Sequence, residues 1–390
     1  MIRELDRWQR VALGCGGAMF VVLGMGRFSY GAMVPALVLS GQVSADQVGW
    51  VGGVNLAGFF GGAFISDIVR RKWRPEHLLG GAIVLSLIAL LASALPFGAI
   101  WLGSWRGLLG LTAGLVMVQG LALTTAVAPE NQRPVATGLM LSGVGAGIFF
   151  SGILVPWLLN YGIFWAWTGI AAVSIAAAMF AFLGLQAAGS VTMERGLRRE
   201  GILFVLRQGR VWRNLALAYF LFSFGITPHT LYWVDFIVRE LALGTGTGGA
   251  HWAVVGVFSM LGPLALAWLA RRMPTSWAVV ASFFILGAGV ILPALLTSIP
   301  ALWLSTIIFG TQPGVSAIKA ARARDLGSAE VMPSVLRVMV MASSLGGAAG
   351  GVVFPAIFAT TTSYELMFFI AGASILVGGC IVRPNREKIR

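Results

Sequence analysis

The sequence predicts an all-α membrane protein of twelve transmembrane helices in two pseudo-symmetric six-helix bundles. Three observations lead there. Apolar stretches of about 20 residues recur along the chain, positive charge collects in alternate loops, and a glycine-proline pattern of the first half returns in the second. Of the 390 residues, 58% are hydrophobic and 11% charged, and the mean hydropathy is +0.87. A water-soluble domain of that composition would expose too much apolar surface. A transmembrane β-barrel would be written in shorter, alternating segments.

A hydrocarbon core about 30 Å thick takes roughly 20 apolar residues of helix to cross. In chain order the spans are 11–37, 47–69, 78–98, 100–127, 135–157, 163–186, 214–238, 250–270, 276–296, 299–319, 332–357 and 364–383. The first follows Arg3, Arg7 and Arg10, and it is too long and continuous for a cleaved signal peptide, so it reads as a signal anchor. The second and third are joined by Arg70, Arg71, Lys72 and Arg74, and the fourth and fifth by a loop with Arg133. Between the sixth and seventh lies the longest polar stretch, with Arg195, Arg198, Arg199, Arg207, Arg210 and Arg213. Arg271 and Arg272 separate the eighth from the ninth; Lys319, Arg322 and Arg324 separate the tenth from the eleventh. Arg383, Arg386, Lys388 and Arg390 follow the twelfth.

These positions hold 23 of the 27 basic residues, and the opposite loops hold only Arg239. By the positive-inside rule both termini and the central loop are cytoplasmic. The net charge of +13 thus sets topology and is not the footprint of nucleic-acid binding. The two cysteines, Cys15 and Cys380, imply no disulfide framework, and the three scattered histidines offer no zinc site. No Walker-type loop occurs, so an ion gradient, and not ATP, is the expected power source; no cofactor is expected.

In span five Gly147, Ser151, Gly152 and Pro156 recur in span eleven as Gly346, Gly350, Gly351 and Pro355, at a constant offset of 199. Trp50 followed by Arg70 and Arg71 is echoed by Trp252 followed by Arg271 and Arg272, and Gly110 by Gly310. A duplicated six-helix unit accounts for all three. The expected organisation is an N-terminal bundle at 1–186, a cytoplasmic linker at 187–213 and a C-terminal bundle at 214–390, the plan of transporters that rock about a midplane site.

In this plan and in its motifs the chain resembles the major facilitator superfamily. The end of span two, from Gly62 to Lys72, is similar to the superfamily's cytoplasmic loop signature through Asp67, Arg71 and Lys72; Ala63 and Arg70 stand where glycines are usual. Arg106 followed by Gly110 resembles the pattern that opens span four. Span five resembles the antiporter glycine motif, with Ile148 at its proline and Ser151 at a glycine. Gly24-Met25-Gly26-Arg27-Phe28-Ser29-Tyr30 with Pro35 looks like the bacterial YbfB/YjiJ branch. The resemblance implies a monomer in the bacterial cytoplasmic (inner) membrane, with spans one, four, seven and ten lining a central pathway. It also implies a gating cluster at Asp67, Arg71 and Lys72.

Charges inside the spans mark the expected site. A basic side chain at that depth costs about 2.5–3.5 kcal/mol on insertion scales, so it faces protein or water. Arg27 and Arg106 lie about 15 and 10 Å below the outer ends of their helices. The N-terminal spans hold no acidic residue except Asp67, at the far cytoplasmic end, which leaves Arg27 available to an anionic ligand's carboxylate or phosphate. Arg106 is read equally as a ligand group and as a cap for carbonyls within its half. In span seven Pro228 breaks the regular bonding, and His229 and Asp235 are candidate proton carriers. Asp235 is also four residues from Arg239, at ion-pair spacing. His229 is a candidate substrate contact as well, and Tyr30, Tyr232, Gln119 and Gln312 complete that set, although Gln119, Gln312 and Asn55 have interhelical bonding as their ordinary role. Trp105 and Trp233 read as interfacial belt residues, and Arg337 as a snorkelling structural one.

The function expected is secondary active transport of a small organic or amphipathic anion, with protons or another ion as coupling partner. The rival within that class is efflux of apolar or cationic drugs, served by aromatic residues and Asp235. A non-transporting receptor or a lipid scramblase is the alternative of another class, and the spans hold too few nucleophile and base pairs for an enzyme.

Overall fold

The computed structural model describes residues 5–70, 72–189, 202–207, 209–315, 318, 322, 325 and 332–383, without the side chains at 67, 202–204, 267, 270, 271, 332–334, 336 and 337. Among the described residues the fold is all helix with no strand. The spanning helices are α1 (Arg7–Leu39), α2 (Ala45–Arg70), α3 (Pro75–Ala92), α4 (Gly98–Val127), α5 (Arg133–Leu159) and α6 (Ile163–Gln186). After a short helix at Ile202–Arg207 come α7 (Arg210–Glu240), α8 (Thr245–Arg272), α9 (Thr275–Leu295), α10 (Ile299–Gly310), α11 (Met332–Thr361) and α12 (Tyr364–Ile381).

Hydropathy locates the apolar middle of each helix, and local chemistry moves the ends. Helix α1 starts at Arg7 because Asp6 and Gln9 form a capping box, with the Asp6 amide donating to Gln9 Oε1 at 2.9 Å. Helix α3 stops at Ala92, short of the 98 expected, because Pro96 cannot continue it and disfavours helical geometry just before itself. Span ten is not one helix from 299 to 319, as its hydropathy predicts: α10 ends at Gly310 and a 3₁₀ turn follows at Gln312–Gly314, where Pro313 lacks the amide hydrogen. The other eleven spans are long and apolar enough to cross a bilayer. Large apolar side chains stand exposed along α3 (Val84, Leu85, Ile88, Leu91), α6 (Ile175, Met179, Leu183) and α9 (Phe284, Ile285), faces that only lipid can cover at low cost.

The same helix pairs form twice. Helix α1 packs on α5 and α6, and the first part of α7 packs on α11 and α12; α3 packs on α4 and α6, and α9 on α10 and α12. Glycines permit the approaches. A Cβ on Gly147 would fall against the Gly24 backbone of α1, and one on Gly346, its counterpart, against the Phe220 carbonyl of α7. With no hydrophobic force between helices in lipid, such backbone contact supplies the packing energy. Gly147→Val is therefore expected to abolish the folded, monodisperse fraction on size-exclusion chromatography. Gly138→Val on the same helix, where the space is open, is expected to leave that fraction unchanged.

The helices group into two compact units, Met1–Glu194 with Thr230–Met260, and Arg195–His229 with Leu261–Arg390. The boundary passes through α7 and α8. In the first unit the early part of α8 lies tightly on α5, with Gly249 and Gly256 meeting the backbone of Gly152 and Gly145. Trp252 fits over Gly31 of α1, and Leu231 over Gly52 of α2.

Candidate functional site

In the first unit the site is built around an irregular stretch of α1. From Phe20 to Phe28 the helix takes the wider π bonding and returns to α at Ser29. Such segments insert an extra residue into the turn and disturb the carbonyl ladder where they end, and they recur at functional sites. Here three successive carbonyls receive side-chain donors. Ser29 Oγ donates to the Met25 carbonyl at 2.5 Å, Arg106 Nη1 to Gly26 at 2.5 Å, and Arg106 Nη2 to Arg27 at 2.8 Å.

Arg106, on α4, is 1% exposed. Its guanidinium also lies over the Tyr30 ring, 4.6 Å from the centroid, while its Nε meets no acceptor among the described residues. Tyr30, itself buried, donates its hydroxyl to the Val48 carbonyl of α2 at 3.0 Å. Asn55 of α2 donates Nδ2 to the Arg106 carbonyl at 2.7 Å, an approach that Gly110 permits because a Cβ there would strike the Asn55 carbonyl. The arginine and glycine read as a family pattern in span four thus have separate physical tasks, one polar and one steric.

Arg27 is different. It is partly buried, its guanidinium sits 5.2 Å from the Phe28 ring centroid and 5.0 Å from that of Phe59 on α2, and no described carboxylate or carbonyl accepts from it. Two aromatic faces hold the cation by their quadrupoles and leave its fork of donors unused. Gln119 donates Nε2 to the Ser66 carbonyl at 3.1 Å, and its buried Oε1 receives no hydrogen bond from a described residue.

The later part of α7 contributes Tyr232, Trp233 and Asp235, all buried. A second π segment, Phe236–Glu240, carries Arg239, whose Nε and Nη2 reach the two Asp235 carboxylate oxygens at 2.6 and 2.7 Å. The ion-pair spacing read in the sequence is a bidentate bond here. Trp233 does not lie in an interfacial belt, as its place in the span suggests; it is 0% exposed and packs on Phe236 and His251. His251, buried at the start of α8, escaped the sequence reading because a single histidine near a span end carries no distinguishing signal.

In the second unit α7 breaks at Ile226, two residues before Pro228, and the Thr227 hydroxyl donates to the Ser223 carbonyl at 2.9 Å beside the break. His229 is 0% exposed, between the rings of Phe309 on α10 and Phe368 on α12 at 5.0 and 4.7 Å. Its Nε2 meets Ser305 Oγ at 3.0 Å, and Ser305 donates to the Gly289 carbonyl of α9 at 2.7 Å. Since the serine's one proton is committed to that carbonyl, His229 Nε2 is the donor of the pair. Gln312 lies half-buried in the 3₁₀ turn after α10. In the expected gating cluster Lys72 is exposed in a turn, while Arg71 and the side chains of Asp67 and Arg337 lie outside the described residues.

A family model described as "Uncharacterised MFS-type transporter YbfB" matches residues 19–383. The chain belongs to that transporter family. It is a multi-pass membrane transporter of the major facilitator superfamily and not an enzyme. It is similar to monocarboxylate transporter 13 of Bos taurus, at 24% identity over 379 residues covering 91% of this chain and 84% of that protein. The gentisate transporter of Corynebacterium glutamicum is 25% identical over 161 residues, 41% of this chain and 36% of that one. Among solved structures, a mutant of the nucleoside transporter NupG superimposes with a TM-score of 0.75 at 12% identity, over 97% of this chain and 99% of that one. A D-xylose-proton symporter does so at 0.75 and 15%, over 96% of both chains. The two superpositions carry the fold alone.

Proposed function

We propose that this transporter moves small organic anions bearing a carboxylate, and that Arg27 is the anchor for that group. The observation that carries the reading is the unused guanidinium of Arg27 between two phenyl rings in the middle of a span. A cation held inside a span among aromatic rings is costly, and a carboxylate ligand relieves that cost through a bidentate, charge-assisted bond. The cargoes named for two relatives, monocarboxylates and gentisate, share that chemistry. The rival cargo, a cationic drug, needs an available carboxylate, whereas Asp235 is held by Arg239. The one-sided basic loops favour a cytoplasmic location for both termini, in a bacterial inner membrane, and the resemblance favours a monomer.

The test is counterflow in sealed proteoliposomes with labelled benzoate and lactate, competed by unlabelled carboxylates, their amides and cationic drugs. Saturable exchange blocked by acids and not by the amides supports the reading. Exchange of neutral or cationic compounds alone sinks it.

For coupling, His229 is the proposed proton carrier: it is the titratable group beside the break in α7, and Ser305, itself donating to the Gly289 carbonyl, holds its ring in place with Nε2 as donor. His229→Gln is then expected to keep counterflow, which needs no net proton movement, and to lose accumulation driven by an inward proton gradient. A variant that accumulates substrate as the parent does would show that the proton is carried elsewhere.

A further inference from the structure

We infer that Arg106 is a positioning residue that fixes the π-to-α junction of α1 and so aims Arg27, and that it is not itself a ligand group. The inference rests on the reading of Arg27 as the anchor. A helix turns by about 100° per residue, so the extra residue held in a π segment rotates everything after it relative to everything before. Where the wide bonding ends, carbonyls drift out of line with the amides ahead, and in an apolar span each one left without a donor is costly. At this junction three successive carbonyls receive side-chain donors, Ser29 Oγ for Met25 and the two Nη atoms of Arg106 for Gly26 and Arg27.

The last of those bonds falls on the backbone carbonyl of the anchor residue itself. The fork geometry decides who can do this: two nitrogens in a rigid plane reach two adjacent carbonyls at once, and an ammonium group lacks that fixed pair. Arg106 is in turn held from behind. Asn55 bonds its carbonyl, and Tyr30, fixed to Val48, supports the face of its guanidinium. Helices α1, α2 and α4 therefore share one polar network whose output is the direction of Arg27. Phe59, from the same α2, lies against the Arg27 guanidinium.

The experiment uses the full-length protein in detergent and in proteoliposomes, with benzoate as the probe, and compares the parent with Arg106→Lys and Arg27→Gln. Amide hydrogen exchange over residues 20–31 reports the junction, and counterflow reports KM and maximal rate. Arg106→Lys is expected to speed exchange over that segment and to raise KM about tenfold with the maximal rate little changed, the penalty of a misaimed group. Arg27→Gln is expected to raise KM without altering exchange. A raised KM in Arg106→Lys with unaltered exchange would make Arg106 a direct ligand contact and overturn the inference. So would faster exchange with unaltered KM, which is a structural role alone. If Arg27→Gln leaves KM unchanged, the anchor reading falls by itself. Exchange in Arg106→Lys then decides the remaining half: faster supports fixing of the turn by Arg106, unaltered overturns it. Should Arg106→Lys fail to accumulate, Ser29→Ala, which strips the neighbouring donor from Met25, is read in the same way with a smaller rise in KM.

Discussion

Arg27→Gln is expected to lower kcat/KM for a carboxylate substrate by thirtyfold or more, without loss of thermal stability. Removing one partner of a desolvated, hydrogen-bonded charge pair costs about 2–5 kcal/mol, and every 1.4 kcal/mol is about a factor of ten. Stability runs the other way. Among the described residues Arg27 has no ion-pair partner, so its partial burial is a cost that an uncharged amide relieves in part. The melting temperature of the purified variant is expected to equal or exceed that of the parent. A ligand that binds only the folded state raises that temperature by mass action, and benzoate is expected to do so for the parent alone. Intact flux in the variant would remove Arg27 from the site. A large fall in stability would place it among the structural arginines with Arg106.

The second large effect is expected at the other π segment. Arg239→Ala takes the guanidinium from a carboxylate with no exposure, whereas Asp235→Asn leaves an arginine whose side chain is 22% exposed and has a route to water. Breaking a buried pair by deleting one partner costs about 3–5 kcal/mol when the charge left behind stays buried. A charge able to snorkel loses far less. Arg239→Ala is therefore expected to lower the melting temperature strongly and Asp235→Asn only slightly, with the double variant Asp235→Asn, Arg239→Ala close to the milder single one. Equal losses in both single variants would mean that the two charges are equally desolvated. Transport by Asp235→Asn is a further reading of the same pair: flux retained at the parental rate excludes Asp235 as the coupled proton's carrier.

Much of the architecture was legible because a transmembrane span is a property of composition. Any 20 apolar residues suffice. The glycine pattern was legible for a similar reason, since close helix approach needs a missing side chain whatever lies opposite. Gly147 and Gly346, matched by offset, occupy matching contacts on α1 and α7. The Asp235 and Arg239 pair could be read because its spacing is internal to one helix.

The polar site was only half legible. Arg27, Arg106 and His229 stood out as costly groups inside spans, but nothing in their spacing told a ligand group from a cap. Arg106 turns to the carbonyls of Gly26 and Arg27, Gln119 to that of Ser66, and Tyr30 to that of Val48. Every residue has a carbonyl, so such a partner leaves no mark in the sequence. Phe59 could not be linked to Arg27 in advance, because which face of α2 meets α1 is decided by packing. The π segment is equally silent: Phe20–Phe28 has no proline to announce it.

By itself, then, the sequence determined the solvent. Its apolar periods and basic loops commit the chain to a bilayer and to helices, since only internally bonded backbone survives there. It also determined which few charged groups the membrane must accommodate. The tertiary structure alone decided what those groups do, because function depends on the rotation of each helix about its own axis, and that angle is set by contacts between residues far apart in the chain. Arg27 and Arg106 are chemically identical and lie on neighbouring helices. One is bonded to backbone carbonyls and the other meets no acceptor among the described residues, and the packing of α1, α2 and α4 makes that difference.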